Sequence, residues 1–321
     1  MPDKKIHFHD MHPTVSNMLE DVVIGLQQSP RSISSKYFYD EKGSQLFDQI
    51  TDTEDYYPTR TEISILQKYK QEIVGLLNKN CLLIEPGGGS CSKVRIFVND
   101  LRPSIYVPMD ISKQHLLASA EQMSKEIPWL DIHTVCNDFT FKLMLPDGLP
   151  DDARVVFFPG SSIGNFKRSA AVQCLSDIAN LLRESGQLLI GVDLKKNKII
   201  LESAYNDSEG VTAEFNMNLL SRLNNELSAD FDLQAWNHYA FYNSEEGRIE
   251  MHLKSMCEQV VSIDDHEFYF AENETIHTEN SCKYTIEEFQ SLGLEAGLYP
   301  EKVWVDDNSL FSVHLFSVKP K

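Results

Sequence analysis

The sequence predicts a doubly wound α/β sheet interrupted by a second, α+β domain. Three observations predict it. Between residues 82 and 194, five apolar strand-like runs alternate with helical ones. Such alternation, with strands apolar throughout, indicates a parallel sheet covered on both faces. The first run ends in "EPGGGS" (85–90), and a doubly wound sheet binds its ligand beyond the carboxyl ends of its strands. From about Lys196 the rhythm breaks into a long helical stretch and several period-2 segments, before "KVWVDD" and "LFSVHLFSV" close the chain as two strands.

The elements follow in order. "TVSNMLEDVVIGLQQSP" has helical periodicity and stops at Pro30. "GSQLFDQITDTEDYYPTRTE" gives a short helix and an acidic turn, then Pro58 opens a second helix through about Leu77. Leu82–Glu85 is a strand, followed by a helix over Lys93–Leu101. "IYVPMDIS" is a strand leading into a helix from Ser112. "IHTVCNDF" and "RVVFFPGSSIGN" are further strands, the latter followed by a helix over Ala170–Ser185, and "QLLIGVDL" is a fifth. In the interruption, "GVTAEFNMNLLSRLNNELSADFD" is helical, while "HYAFYN", "RIEMHLKSM" and "EFYFAENETIHTE" have strand periodicity. "TIEEFQSLG" opens a helix, with Thr285 and Glu288 spaced as a capping box and Gly293 as its stop. The expected domains are discontinuous: residues 60–195 with 286–321 form the sheet domain, and residues 1–59 with 196–285 form the other.

The formal charge of −19 over 321 residues excludes a nucleic-acid or anionic-membrane partner, since phosphate binding needs a cationic face. No long apolar segment opens the chain, so neither a signal peptide nor an anchor is expected. Six cysteines at 81, 91, 136, 174, 257 and 282 form no CxxC pair. They fit neither a disulfide framework nor a zinc knuckle, and a reducing cytoplasm is the simplest home. The terminal "HFHDMHP" gathers three histidines; a frayed, solvated terminus is expected rather than a metal site.

Gly87 and Gly89 let the backbone turn sharply and approach a ligand without a Cβ in the way. Asp110, 23 residues beyond Gly87, stands where an acid binds ribose hydroxyls. Those features leave two classes open. A dinucleotide dehydrogenase wants a third glycine where Ser92 stands, and a pyrophosphate near Glu85, which is an unsuitable neighbour for that anion. A sulfonium and an ammonium suit Glu85 better, so an S-adenosylmethionine-dependent methyltransferase is favoured. No G-K-[ST] follows, which excludes a P-loop. In "CNDF", Asp138 and Phe139 suit an adenine amino group and ring, although a cap and a core aromatic would read the same way.

Seven segments then carry a specific likeness: "KYFYDEKGSQLFDQIT", "YYPTRTE", "PGSSIGNF", "AYNDSEGVTAEFN", "LNNELSADFDLQAW", "SEEGRIEMHL" and "TENSCKY". Across essentially the whole chain, the sequence resembles the ergothioneine-pathway L-histidine Nα-methyltransferases. The resemblance implies a Rossmann-like seven-strand methyltransferase sheet with a discontinuous α+β substrate domain. It also implies three transfers from S-adenosylmethionine, converting histidine to hercynine. Carried over by position, it gives the donor Gly87, Lys93, Asp110, Asp138 and Phe139. It gives the amino-acid carboxylate Asn165 and Tyr205, and the amine Tyr39. Tyr56, Glu279 and Ser281 are implied at the imidazole, with Met251 as an apolar wall and Phe47 close by.

Without that likeness, Tyr39 and Tyr56 read as half-buried core tyrosines, Glu279 as a solvated acid, Met251 as core, and Asn165 as a turn residue. Related enzymes acting on tryptophan-type substrates or a modified histidine remain the enzymatic alternative. A catalytically idle ligand-binding module is the alternative of another class. Pro86, Cys91 and Asn280 depart from the family pattern, the last allowing an altered substrate. No metal is expected, the partner is a small amino acid, and a monomer is expected.

Overall fold

The computed structural model describes residues 6–11, 18–138 and 143–318. The chain divides into two compact units. The first comprises residues 1–13, 58–195 and 283–321, and the second residues 14–57 and 196–282. In chain order the strands are β1 (Ile6–Asp10), β2 (Leu82–Pro86), β3 (Ile105–Asp110), β4 (Ile132–Cys136), β5 (Arg154–Phe158) and β6 (Gln187–Asp193). There follow β7 (Trp236–Asn243), β8 (Arg248–Ser255), β9 (Gln259–Ile263), β10 (His266–Phe270) and β11 (Thr275–Cys282), then β12 (Leu298–Val305) and β13 (Phe311–Val318).

The first unit holds one eight-stranded sheet in the order β1-β4-β3-β2-β5-β6-β13-β12. β1 to β6 are mutually parallel with their neighbours, while β13 runs antiparallel to β6 and to β12. Seven of these strands are the expected sheet. The eighth, β1, corrects the frayed terminus: Ile6–Asp10 pair in register with Ile132–Cys136. The described residues 6–11 therefore belong with the sheet, not with the second domain. The alternating Ile6, Phe8 and Asp10 of a short, His-rich segment gave no strong apolar signal, because an edge strand is half solvated. His12 lies outside the described residues.

Both faces of the sheet are dry, as the apolar runs require. Leu83, Val155, Phe157 and Leu189 pack on one side, and Leu82, Ile84, Val156, Phe158, Leu188 and Ile190 on the other. Chain order reverses on either side of β2, which opens a switch point beyond its carboxyl end.

Several expectations shift in detail. The stretch expected as one helix over Lys93–Leu101 is a 3₁₀ turn, Val94–Ile96, and a short helix, Val98–Leu101. Phe97 leaves helical geometry between them and packs edge-on to Phe157 at 5.0 Å. The helix from Tyr57 ends at Lys68 and a second runs Lys70–Leu76, with Tyr69 at φ −105° and ψ 10° as the joint. Both arms of the Thr285–Glu288 capping box form. Gly293, however, lies inside that helix, where a Cβ would come within 2.5 Å of the Phe316 ring. It allows close helix–strand approach, and Gly297 (φ +84°) follows the helix end instead. β9 was missed, because a run of five residues with only Val261 and Ile263 buried is too short to show its periodicity.

The second unit holds a three-stranded antiparallel sheet, β11-β8-β7, and the β9–β10 hairpin. Its helices Glu41–Asp52 and Val211–Leu227 are anchored by acids. Asp40 accepts from Gly43 N at 2.6 Å and from Asn218 Nδ2 at 2.9 Å. Asp207 accepts from Val211 N and Thr212 N, each at 2.8 Å. Burial pushes the Asp207 carboxyl up, but its bonds from Thr212 and Val211 outweigh this and hold it below the ordinary range.

Candidate active site

In the first unit, the glycine loop turns at the end of β2. Gly87 adopts φ +71°, and Gly88 N donates to Met109 O at 3.0 Å, tying the loop to β3. At Gly89 a Cβ would stand 2.9 Å from Asp110 Oδ2, so only glycine lets the loop pass this close to that acid. Asp110 ends β3 and accepts from Ser112 N at 2.8 Å, while burial pushes its carboxyl above the ordinary range. Asn137 N donates to Asp110 O at 3.1 Å, bringing the buried Asp138 beside the same strand end. Gly87, Gly89, Asp110 and Asp138 are thus gathered at the switch point. Phe139 lies outside the described residues.

Two residues expected to face a ligand carry other bonds. Glu85 is 2% exposed, accepts from the Tyr106 hydroxyl and packs beneath Gly88. Burial pushes its carboxyl up to about 7, against the opposing pull of Tyr106 and Lys93. Lys93 Nζ donates to Glu62 Oε2 at 2.5 Å. Glu62 is completely buried and also accepts from Gly160 N at 3.0 Å. It fits against Gly191 of β6, where a Cβ would overlap its carboxylate. The Lys93–Glu62 pair therefore joins the loop after β2 to the loop after β5.

Sequence reasoning missed Glu62, though a signal was there. Glu62, Ile65 and Leu66 share one helical stripe, and an acid on an apolar stripe is a buried acid in search of a cation. Departing Cys91 sits at φ +49°, and its thiol donates to Gly88 O at 3.1 Å, so it helps to close the loop. Burial pushes that thiol up to about 12, well away from thiolate chemistry.

Beyond β5, Gly160 (φ +80°) and Ser161 (φ +58°) reverse the chain into the 3₁₀ turn Ser162–Asn165. Asp193 N donates to Ser161 Oγ at 2.9 Å, which fixes this turn to the end of β6. Asn165 is half-buried at the end of that turn. Asp193 also pairs with Lys283 at 2.7 Å, both side chains 1% exposed. That pair clamps the points where the chain leaves and re-enters the first unit.

In the second unit, seven expected residues come together. Tyr39, Phe47, Tyr56 and Tyr205 form a run of edge-on rings with centroid separations of 5.9, 6.5 and 6.2 Å. The Tyr205 hydroxyl donates to Ser281 Oγ at 2.7 Å. Glu279 is the cross-strand partner of Met251. A bulge between His277 and Glu279 sets this register, inserting one residue and re-aiming those that follow. Asn280 instead pairs with Glu250, on the face turned away from Met251, so it does not bear on the substrate wall.

Behind this wall lies a polar network that the sequence did not disclose. Asn216, completely buried, offers Nδ2 to His252 O and to His238 Nδ1, both at 2.9 Å. An amide NH₂ only donates, so His238 Nδ1 accepts and its Nε2–H donates to Tyr205 O at 2.8 Å. Burial keeps His238 below its ordinary pKa and therefore neutral, which suits this tautomer. Thr278 Oγ1 lies 2.9 Å from Asn216 Oδ1 and 3.0 Å from Met251 O. The network holds Tyr205 and the bulged strand in place. Phe215, also missed, touches Phe38, Tyr39 and Phe47 at 4.5, 5.8 and 6.0 Å.

The family model described as histidine-specific, SAM-dependent methyltransferase matches residues 18–318. The chain is 39% identical over 302 residues to a histidine N-alpha-methyltransferase of Mycolicibacterium smegmatis, covering 92% of this chain and 93% of that one. It is 39% identical over 305 residues to a protein of the same name from Mycobacterium tuberculosis, with the same coverage. Ergothioneine biosynthesis protein 1 of Neurospora crassa is 29% identical over 301 residues, covering 91% of this chain but 34% of its own length.

Proposed function

The chain belongs to the histidine-specific, S-adenosylmethionine-dependent methyltransferases, and on that premise we propose that it methylates the α-amino group of L-histidine. Up to three transfers give hercynine, as in ergothioneine biosynthesis. The observation that carries the substrate is the set Tyr205, Ser281, Glu279 and Met251, held in one register by the bulge and the Asn216 network. Glu279 accepts an imidazole N–H, the Ser281 hydroxyl bonds the ring, and Met251 packs on its apolar face. A carboxylate aimed at an imidazole forgoes that bond when the side chain is apolar, which penalises substrates of that kind.

The donor side fits a cationic, phosphate-free nucleoside. The passage at Gly89 that a Cβ would fill, the Asp110 carboxylate beside it and the neighbouring Asp138 supply a ribose site and an adenine site. When bound, S-adenosylmethionine supplies an electrophilic methyl. The chain's own task is then positioning: a neutral amine attacks in line, and hydroxyls such as Tyr39 hold its hydrogens without strong basicity. Glu85 and Lys93 support this loop from beneath, through Tyr106 and Glu62. Asn165 enters the same proposal as a neutral donor for the amino-acid carboxylate. A monomer in the cytoplasm is the proposed setting. No described helix is long and apolar enough to cross a membrane.

Titration calorimetry with histidine, its mono- and dimethylated forms and hercynine, beside tryptophan and histamine, tests the substrate. Mass spectrometry of products from the same panel follows the transfers. Histidine and its methylated forms should bind and accumulate mass in methyl steps. Turnover of tryptophan or histamine in preference would overturn the assignment, and donor binding without any turnover would leave an idle binding module.

A further inference from the structure

The face of the β7–β8–β11 sheet opposite Met251 and Glu279 carries a second constellation, which the methyl transfer does not use. His252 and His277 are direct cross-strand partners, and Glu250 and Asn280 are the next such pair on that face. One ligand atom each from Glu250, His252 and His277 lies within 4.8 Å of the others. Glu250 Oε2 stands 3.2 Å from His252 Nε2, about the edge of a tetrahedron with ~2.0 Å metal–nitrogen and metal–oxygen bonds. Glu250 and His252 are buried, at 8% and 9% exposure.

Three buried polar atoms in this cluster have no hydrogen-bond partner: His252 Nδ1, His277 Nε2 and Asn280 Oδ1. Nine such side-chain atoms occur among the described residues, and a third of them belong to neighbouring residues on this one face. Orphaned buried polar atoms are costly; an ion beside Glu250 Oε2 would be reached by His252 through Nε2 and would engage His277 Nε2 and Asn280 Oδ1 together. The carboxylate is already divided for the purpose. Oε1 of Glu250 takes Arg248 Nε at 2.8 Å and Asn243 Nδ2 at 3.0 Å, while Oε2 faces the imidazoles. This is the outer support that orients a ligating carboxylate. Arg248 is shared with Glu246 at 3.3 Å, so two carboxylates balance one guanidinium and the local charge still favours a cation.

We propose that Glu250, His252 and His277, with Asn280 Oδ1 as the fourth donor, form a site for a divalent cation of the zinc class. Two imidazoles and oxygen donors select zinc, cobalt or nickel over calcium and magnesium. The ion bridges β8 and β11 beside the bulge between His277 and Glu279, and so braces the strand that carries Glu279 and Ser281 from its other face. This departs from the sequence expectation of no metal and does not depend on the substrate assignment. A second His-rich group, His7, Asp131 and His133, lies at the sheet edge with His7 half exposed and is the natural control.

The test uses the untagged full chain, stripped with chelator and titrated with Zn²⁺ by calorimetry and with Co²⁺ by visible absorption. One equivalent should bind, with intense tetrahedral cobalt bands and a zinc-dependent rise in melting temperature. The pair His252→Gln and His277→Gln should weaken uptake by about 100-fold or more, while His7→Gln with His133→Gln should leave it unchanged. Anomalous scattering at the zinc edge from soaked wild-type crystals locates the ion whether or not the variants fold. No uptake, uptake that survives loss of both His252 and His277, or anomalous density only at His7 and His133 would each overturn the proposal.

Discussion

The hydroxyl of Tyr205 donates a 2.7 Å hydrogen bond to the Oγ of Ser281, 76 residues further along the chain. Both side chains are buried. A residue implied at the amino-acid carboxylate and one implied at the imidazole therefore form one unit rather than two independent contacts. Removing one hydroxyl takes this bond from the other inside a buried site, at a cost of ~1–3 kcal/mol. Tyr205→Phe should raise the dissociation constant for histidine roughly tenfold, about 1.4 kcal/mol. With Ser281→Ala as the second arm of a calorimetric cycle, the double variant should lose less than the sum of the singles. Strict additivity would show the bond to be irrelevant to binding.

Glu279 is expected to set substrate choice. Glu279→Ala should weaken histidine by roughly 10- to 100-fold, the worth of a hydrogen bond to a charged group, with donor affinity unchanged. Titrations with histidine and with S-adenosylhomocysteine separate the two. If donor binding is lost and histidine affinity kept, the residue has been placed on the wrong ligand.

Gly89→Ala probes the donor loop. The added methyl would stand 2.9 Å from both Asp110 Oδ2 and His115 Cδ2, so the loop must retreat from the acid at a cost of ~1–3 kcal/mol. Donor affinity should fall by tenfold or more, with circular dichroism unaltered. Wild-type affinity in this variant would mean that the loop does not approach the ligand at this point.

The buried carboxyl of Glu85 makes a pH-dependent contribution. Its folded value, about 7, exceeds the ordinary 4.5, so the folded state prefers the protonated form. The stability this confers is complete below about 4.5 and is lost as pH rises through 7, amounting to roughly 3 kcal/mol at 1.36 kcal/mol per pH unit. Glu85→Gln cannot titrate. Its melting temperature should therefore gain on that of the wild type between pH 5 and pH 8. A difference that stays flat over that range would refute the buried, protonated state.

The completely buried Glu62 pairs with the partly buried Lys93 at 2.5 Å. Glu62→Leu alone strands the ammonium and should cost about 3–5 kcal/mol, whereas adding Lys93→Met should recover much of the loss. Thermal melts of the three variants decide it. If the double variant melts lower than Glu62→Leu, the pair contributes more together than its desolvation takes away.

Much of this was legible because some signals are local. The apolar runs at 82–86, 105–110, 154–158 and 187–193 announced buried parallel strands, since each residue there must avoid water on both faces. Gly87, Gly89 and Asp110 announced a switch-point ligand because a close turn and an acid at a strand end need particular residue types. The Thr285–Glu288 box was readable for the same reason: its bonds span three residues. Edge and pairing decisions were not readable in this way. β1 reads as a tail until β4 offers it a ladder, and Gly293 reads as a stop until Phe316 is seen against it.

By itself, then, the sequence determined the sheet, the donor loop, the inserted second unit and the family, because periodicity, glycine placement and long shared segments are written along the chain. Tertiary structure alone decided that Lys93 answers to Glu62, that Tyr205 answers to Ser281, and that Asn280 turns away from the residues on either side of it. Those are partnerships across 31 and 76 residues and one bulge. A burial that forces two distant polar groups to satisfy each other leaves no mark on either one's neighbours in sequence.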